Sequence, residues 1–412
     1  MLGLGRLGLP VAVAIAERGY DTVGYDLDAL RMKKVPQGYI EGGPNGDGDF
    51  NNHLLRSSLR YASSIADLVD QVDIVFVAVQ TPHPINQDGR FGFELNHLGD
   101  FDYTYLQEAL RCIASVVKRP MIISIISTVL PGTWKRYLEE LANPLMRVVY
   151  NPFFIAMGST MRDFLYPEFV LLGVEDSVAA NRVDDFYRHV ILNDAPRCQM
   201  SITAAEATKV LYNTYISAKI SVVNTAQMVC DAIHCDAGEV LGALRLGTKR
   251  LLSDQYLWPG MGDGGGCHPR DLLALGWFVE KNLARPEGGN FYAQIMRARE
   301  DFALYLAEKL ARLSIKRDLP IGIYGYAFKR NVAITDGSHA LLVSHLLKKR
   351  FSMDCYLYDP MIDEKPIEQQ ARVFLVGANH DEARIQKWPP GSVVVDPWHI
   401  IDAPEVEVIR IG

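Results

Sequence analysis

A run of glycines ends on a cysteine that has the surroundings of a nucleophile. Five glycines fall within residues 260–266, and Cys267 follows them directly, just before a predicted helix. Thiolates are stabilised at helix N-termini and beside cations, and Arg270 and the carboxylate of Asp271 lie within four residues. Because a glycine run without a role is entropically expensive, the pattern favours covalent catalysis over a buried cysteine beside a flexible loop.

A second glycine cluster begins the chain and predicts dinucleotide binding. Gly3, Gly5 and Gly8 fit the pattern Gly-x-Gly-x-x-Gly, and a helical stretch and then a strand ending in Asp26 follow. Such glycines allow a tight turn and let a pyrophosphate approach a helix N-terminus. An acidic residue at Asp26 is placed to bind the adenosine ribose diol, which favours NAD over NADP. The alternative is that Asp26 only opens the turn before Asp28.

Polar residues also form a stripe on a long predicted helix over residues 203–231. Glu206, Asn213, Ser217 and Asn224 lie within about 20° of the Glu206 direction at 100° per residue. The pattern alone fits a site lining and a solvated face equally well. Lys219 lies well off this stripe, so periodicity does not group it with Asn224.

The elements that must position these residues are typical of an α/β fold. Short β-branched or aromatic runs alternate with helical stretches in the first half, as in parallel strands that are buried on both faces. The strand signal restarts after residue 316, so we predict two Rossmann-like, doubly wound domains joined by the long central helix. The predicted strands of the first half lie at residues 21–26, 73–79, 121–127 and 147–150.

The expected domains are residues 1–195 for the NAD-binding Rossmann-like domain, 196–315 for a central helical domain, and 316–412 for a C-terminal α/β domain. A Rossmann unit needs a strand of about five residues before its first glycine, whereas only Met1 and Leu2 precede Gly3. We therefore expect the first strand to be truncated.

Composition excludes several classes of function. The 412 residues are 49% hydrophobic and 22% charged, with a net charge of −7, which argues against a broad footprint for nucleic acid or anionic lipid. No apolar run reaches the roughly 18–20 residues of a spanning helix, and no secretory leader is recognisable. The six cysteines show neither zinc spacing nor a disulfide framework. We expect a cytoplasmic protein without a metal.

With these motifs in order, the chain resembles the UDP-glucose/GDP-mannose dehydrogenase family along nearly its whole length. Six blocks match the family in sequence order, including its opening glycine loop, its catalytic cysteine loop and its Gly-x-Ala-Phe-Lys segment. The blocks are residues 3–10, 79–82, 127–133, 219–224, 262–271 and 325–329.

The resemblance implies a nucleotide-sugar 6-dehydrogenase that makes two successive oxidations with two NAD. The C6 alcohol becomes an aldehyde, Cys267 traps it as a thiohemiacetal, and hydrolysis of the resulting thioester gives a uronate. Lys219 and Asn224 would stabilise the oxyanion. Asp271 would act as the general acid and base, and Thr128 would hold a water molecule. UDP-glucose is the commonest substrate of the family.

The resemblance also implies binding residues and a homodimer through the central helix. The expected cofactor contacts are Gly3, Gly5, Arg6, Leu7, Gly8, Asp26, Thr81 and Thr128. The expected substrate contacts are Lys219, Asn224, Gly264 and Lys329, with Arg250 reaching a neighbouring subunit's site.

Departures from the family pattern leave three hypotheses open. Phe153 and Met157 replace two family glutamates, the first of which is assigned to acid–base work, and Asp336-Gly337-Ser338 replaces an Arg-Glu-Ser segment that contacts cofactor. The leading hypothesis is the full four-electron oxidation. The second is a two-electron oxidation or a stalled thioester. The third is a non-catalytic nucleotide-sugar-binding protein, against which the joint retention of the catalytic residues argues. A more distant 3-hydroxyacid dehydrogenase would not need the cysteine loop.

Overall fold

The chain forms two compact units. A computed structural model describes residues 1–38, 50–83, 89–90, 99–248, 260, 262, 265–282, 290–364 and 371–411. The first unit comprises Met1–Pro82 and Phe101–Leu211, and the second comprises His83–Asp100 and Tyr212–Gly412. The predicted domain limits at 195 and 315 stay a prediction.

A largely parallel sheet forms the centre of the first unit. Its strands are β1 (Val23–Gly24), β2 (Arg60–Tyr61), β3 (Ile74–Val77), β4 (Met121–Ile125), β5 (Met146–Tyr150), β6 (Val170–Val174) and β7 (Arg197–Met200). In the described residues, β1 and β2 pair in parallel, and the other strands follow the order β3-β4-β5-β6-β7. Only the β5–β6 pairing is antiparallel among them. Strands β3 to β6 are almost entirely buried, as expected for β-branched runs covered on both faces.

Helices cover this sheet. They are α1 (Gly8–Glu17), α2 (Ala29–Lys34), α3 (Phe50–Arg56), α4 (Ile65–Gln71), α5 (Thr104–Val116), α6 (Thr160–Leu165) and α7 (Ser177–Val190). Helix α1 is buried along nearly its whole length and belongs to a core that also contains residues of β5, α6 and α7. An all-round apolar helix is stable only when it is buried in this way.

The residues before the first glycine lie in the middle of the sheet. Leu2 forms parallel bridges to both Tyr25 and Val77. Its amide donates to the carbonyl of Phe76 at 2.8 Å, and the amide of Gly3 donates to Tyr25 at 2.8 Å. Leu2 therefore joins β1 to β3 and delivers the chain to the glycine turn at the carboxyl edge of the sheet.

A second parallel sheet confirms the predicted second α/β fold. Its strands are β8 (Ile321–Tyr324), β9 (Cys355–Tyr358), β10 (Val373–Val376), β11 (Val393–Asp396) and β12 (Glu407–Arg410). Within the described ranges they are all parallel, in the order β12-β11-β10-β8-β9. The remaining helices are α8 (Ile202–Ile233), α9 (Ala237–Arg245), α10 (Cys267–Asn282), α11 (Phe291–Arg317), α12 (His339–Phe351) and α13 (Asp381–Ile385). Helices α11 and α12 share a core with this sheet.

Helix α8 is the long helix that the sequence predicts. The chain from residue 197 to 237 contains neither glycine nor proline, so nothing interrupts the helix before residue 233. His234 then adopts the left-handed conformation at φ 57°. The amide of Cys235 donates to the carbonyl of Cys230 at 3.0 Å. This is the Schellman arrangement that ends a helix.

Glu206 fastens the beginning of α8 to the loop that follows β4. Its fully buried carboxylate accepts hydrogen bonds from the amides of Gly132 at 2.6 Å and Trp134 at 2.8 Å. Burial is the largest influence on this group and raises the pKa of Glu206 above its ordinary value, although the two amides oppose the shift.

The substitution Glu206→Gln should change how the stability of the protein depends on pH. Because the pKa of Glu206 is raised in the folded protein, its stabilising contribution is fully present below the unfolded pKa and is lost as pH rises through the folded pKa. The glutamine variant has no charge to bury. We expect the melting temperature of the wild type, relative to that of the variant, to fall as pH increases from mildly acidic to neutral. A difference that stays constant or grows with pH would contradict this assignment.

Candidate functional site

The glycine turn of the first unit fits a pyrophosphate. Gly3 has φ +97°, and a Cβ there would lie 2.5 Å from the carbonyl oxygen of Ala78. A Cβ on Gly8 would lie 2.0 Å from the carbonyl oxygen of Gly3, whereas a Cβ on Gly5 would meet no atom within 4 Å. Gly3 and Gly8 are therefore required by the fold, and the turn is open at Gly5.

Helix α1 adds an electrostatic reason for an anion at this turn. Its first turn carries no acidic residue, and its N-cap, Leu7, provides no side-chain hydrogen bond. The first amides of a helix lack intrahelical acceptors and carry partial positive charge. Arg6, beside the turn, is half-buried. These groups would hold the diphosphate of a dinucleotide.

Asp26 supports the same turn from the end of the neighbouring strand. Its carboxylate accepts hydrogen bonds from the amides of Leu4 at 2.7 Å and Asp28 at 2.9 Å and forms an ion pair with Arg31 at 3.0 Å. The structural role that the sequence left open, fixing the turn before Asp28, is therefore present. The contact with a ribose diol stays a prediction.

Thr81 and Thr128 lie at the carboxyl ends of β3 and β4. The hydroxyl of Thr81 donates to the carbonyl oxygen of Thr128 at 2.7 Å, and the hydroxyl of Ser127 donates to the carbonyl of Val79. Parallel strands bring the residues after their carboxyl ends to one edge of the sheet. The predicted cofactor residues of the first unit thus share the edge where α/β sheets bind ligands.

Phe153, which the resemblance implies stands in place of a family glutamate, lies in an aromatic cluster. Its ring packs against Phe164 with centroids 5.4 Å apart, and its carbonyl oxygen accepts a hydrogen bond from Lys209 at 2.8 Å. It lines an apolar cavity of about 20 Å³, which has room for about one water molecule. Neither Phe153 nor the half-buried Met157 can transfer a proton.

In the second unit, Cys267 is the first residue of α10 and its side chain is exposed. The helix N-terminus favours anions such as a thiolate. Gly265 has φ +91°, and a Cβ there would lie 2.7 Å from the ring of Phe328. Part of the glycine run is therefore required by close packing against the Gly-x-Ala-Phe-Lys segment.

Asp271 lies one helical turn after Cys267 and is completely buried. Its carboxylate accepts a hydrogen bond from Asn213 Nδ2 at 2.6 Å and pairs with the Arg270 guanidinium at 2.9 Å. A buried carboxylate needs such partners to offset the loss of water. Asn213 is a site residue that the sequence indicated only as a member of the polar stripe.

Asn224 also fixes the glycine run to α8. It is 5% exposed, and its Oδ1 accepts a hydrogen bond from the amide of Gly260 at 3.2 Å. The whole stripe is buried, so the solvated-face alternative is wrong. Lys219 and Lys329 are half-buried in the same unit.

Two predicted substrate residues cannot be placed, and two further features are not found among the described residues. Gly264 and Arg250 fall outside the described residues. In the parts of the chain that are described, no three His, Cys, Asp or Glu side chains form a group that could hold a metal ion. No described helix combines the length and apolar character needed to cross a membrane.

Comparison with known proteins identifies the family of the chain. Residues 1–191 match the NAD binding domain of the UDP-glucose/GDP-mannose dehydrogenase family, and residues 203–289 match its central domain. The chain belongs to this family. It is accordingly an NAD-dependent oxidoreductase of the nucleotide-sugar 6-dehydrogenase type, and the predicted cofactor is confirmed.

Relatives with different substrates share this similarity. The putative UDP-glucose 6-dehydrogenase YtcA of Bacillus subtilis is 27% identical over 87% of this chain and 81% of its own length. The GDP-mannose 6-dehydrogenase of Azotobacter vinelandii is 25% identical over 76% and 73%. The solved structure of a UDP-glucose dehydrogenase from Pyrobaculum islandicum is 26% identical, with a TM-score of 0.81 over 100% of this chain and 96% of that one.

Two glycine substitutions should separate cofactor binding from folding. Gly5→Ala places its Cβ in open space, so the fold should persist while the affinity for NAD falls by about tenfold or more, because the pyrophosphate must pass close to this backbone. Gly8→Ala should lower the melting temperature instead, because its Cβ meets the Gly3 carbonyl. Calorimetric titration with NAD and thermal unfolding measure the two effects. Unchanged NAD affinity in Gly5→Ala would place the pyrophosphate elsewhere.

Removing the amide that supports Asp271 should be costly. Asn213→Ala leaves a buried carboxylate oxygen without its donor, and we expect a loss of about 1–3 kcal/mol in the free energy of unfolding. Ser217→Ala is the matched control on the same helix face, because its buried hydroxyl has no hydrogen-bond partner among the described residues. Denaturant unfolding compares the two, and equal losses would remove the special role of Asn213.

Proposed function

We propose that the protein oxidises the C6 hydroxyl of a nucleotide sugar, with UDP-glucose as the favoured substrate, to the uronic acid through a covalent intermediate on Cys267. The observation that carries this proposal is the N-terminus of α10. There an exposed cysteine precedes, by one turn, a carboxylate that is fully buried and held by Asn213 and Arg270.

The nucleophile of the proposed reaction is the thiolate of Cys267. Its sulfur attacks the C6 aldehyde, a C–S bond forms, and the carbonyl electron pair moves to oxygen to give a thiohemiacetal oxyanion. Lys219 and Asn224 would stabilise that oxyanion. Because Asn224 Oδ1 already accepts a hydrogen bond from Gly260, its Nδ2 group is the donor available for this role.

NAD, when bound, supplies a hydride acceptor, and two equivalents account for the four electrons that the C6 alcohol loses. The thioester on Cys267 is then hydrolysed: a water oxygen bonds to the carbonyl carbon, the C–S bond breaks, and the thiolate leaves. Asp271 is the proposed acid–base group of the second unit. Thr128, in the first unit, keeps the proposed role of holding water.

The environment of Phe153 favours a second candidate, in which thioester hydrolysis is slow. The ring of Phe153 packs against Phe164 and cannot move protons, whereas the family resemblance implies a carboxyl group at this position. The protein would then release two hydrides in a single turnover and accumulate the sugar as a thioester on Cys267. We rank this candidate second because the buried Asp271 is available for the same proton transfer.

An exposed apolar stripe on α8 supports the proposed homodimer. Leu211, Tyr215 and Val222 are each at least 45% exposed, and their spacing of four and then seven residues puts them on one face of the helix. An apolar stripe of this kind is typical of a surface that another helix covers. The corresponding α8 of a second copy is the proposed partner.

The stoichiometry of NADH distinguishes the candidates. Purified protein is incubated with NAD and, in turn, UDP-glucose, UDP-N-acetylhexosamines and GDP-mannose, and NADH and sugar products are counted. Two NADH per sugar are expected. A single burst of two NADH per active site, with a sugar thioester on Cys267 by mass spectrometry and no free uronate, would replace the leading proposal with the second, as would one NADH per sugar with an aldehyde product. Binding of nucleotide sugar without turnover would favour the non-catalytic alternative.

The role of the cysteine has its own test. Cys267→Ala should abolish the second oxidation, because no covalent carrier remains, whereas Cys235→Ala changes another exposed cysteine and should leave turnover intact. Uronate formation by Cys267→Ala at the wild-type rate would rule out the covalent mechanism.

A further inference from the structure

Arg299 is a buried cation that connects two backbone segments. It lies on α11, is 5% exposed, and its guanidinium donates to the carbonyl oxygens of Gly89 at 3.0 Å and Gly337 at 2.8 Å. Burying a guanidinium is costly unless its donors are satisfied. Its planar fork can bind two acceptors in fixed directions at once. The arrangement therefore fixes the separation of residues 89 and 337.

Both of these segments closely approach residues on either side of Cys267. Gly337 has φ +73°, and a Cβ there would lie 2.3 Å from the carbonyl carbon of Gly265 and 2.5 Å from the amide nitrogen of Gly266. A Cβ on Gly89 would lie 2.7 Å from the ring of Pro269. The residues just before and just after Cys267 are thus each in contact with a segment that Arg299 holds.

Further contacts surround residue 337. The Cβ of any residue other than glycine there would collide with the backbone of the cysteine loop. The guanidinium of Arg90 lies 4.0 Å from the carboxylate of Asp336. His339 adds a contact through its Nε2, which lies 3.2 Å from the carbonyl oxygen of Arg299.

We propose that Arg299 is a positioning residue that holds the Cys267 loop in its reactive geometry by joining the backbones at Gly89 and Gly337. This inference rests on the proposed role of Cys267 as the nucleophile. Arg299 acts through the backbone of the loop and transfers no group. Without it, the two segments would separate and the beginning of α10 would lose its fixed orientation.

The reactivity of Cys267 tests the proposal without turnover. The rate of alkylation of Cys267 by iodoacetamide, measured on its peptide by mass spectrometry, should fall by about threefold or more in Arg299→Met, because the beginning of α10 loses its fixed orientation. Arg299→Lys should give an intermediate rate, since a single ammonium cannot hold both carbonyls in the fixed fork geometry. Arg297→Met is the control, because Arg297 is exposed on the same helix.

Steady-state kinetics provide the second measurement. With an active nucleotide sugar, kcat of Arg299→Met should fall by about tenfold or more, while KM for NAD stays within about threefold. A lower melting temperature with wild-type alkylation rate and wild-type kcat in the folded fraction would show a merely structural role and overturn the proposal. An alkylation rate at or above that of the wild type would also overturn it.

A third variant guards against a misfolded Arg299→Met protein. Gly337→Ala keeps the buried charge of Arg299 but separates residue 337 from the backbone of Gly265 and Gly266. It should therefore also slow the alkylation of Cys267. An unchanged alkylation rate would again overturn the proposal. If no nucleotide sugar supports turnover in the wild type, the proposed function fails, whereas the alkylation rates still decide the role of Arg299.

Discussion

The contact between the backbones of Gly337 and Gly265–Gly266 is the constraint on which the geometry of the second unit depends. A Cβ at residue 337 would approach the loop backbone to 2.3 Å, which is far inside van der Waals separation. The backbone of residues 265 and 266 is therefore held closely against residue 337. The guanidinium of Arg299 donates to the carbonyl oxygen of Gly337, and hydrogen bonds from charged groups are among the strong ones.

The buried polar stripe of α8 fixes local structure in each of the two units. Glu206 holds the loop after β4 in the first unit, while Asn213 and Asn224 hold Asp271 and Gly260 in the second. These side chains must find partners because unsatisfied buried polar groups cost about 1–3 kcal/mol each. One helix face thus specifies several local structures in addition to its packing.

The surroundings of Phe153 and Asp271 bear on the proposed hydrolysis of the thioester. Phe153 is partly buried and packs against the hydrophobic core of the first unit, and its backbone carbonyl accepts the hydrogen bond from Lys209. Hydrolysis of a thioester needs a group that moves protons from water. Asp271, a fully buried carboxylate of the second unit, is the group that we propose for this step.

Much of the fold follows from local pattern. Several elements carry a periodic or compositional signal, and the structure confirms them. They are the β-branched runs at residues 73–79 and 121–127, the helix without glycine or proline, and the helix that begins at the cysteine after the glycine run. These signals reflect backbone preference and burial over a few residues, so a single sequence displays them. Motif order was enough to place the chain in its family.

Tertiary structure alone decided which partners the polar groups find. Periodicity placed Glu206 and Asn213 on one face but could not say whether that face was buried, and it could not say which amides donate to Asp26. No sequence pattern distinguishes Arg299 from the other arginines of its helix. Its two acceptors lie 210 and 38 residues away along the chain. Hydrogen-bond partners at such separations depend on how elements pack, and no local sequence signal records that packing.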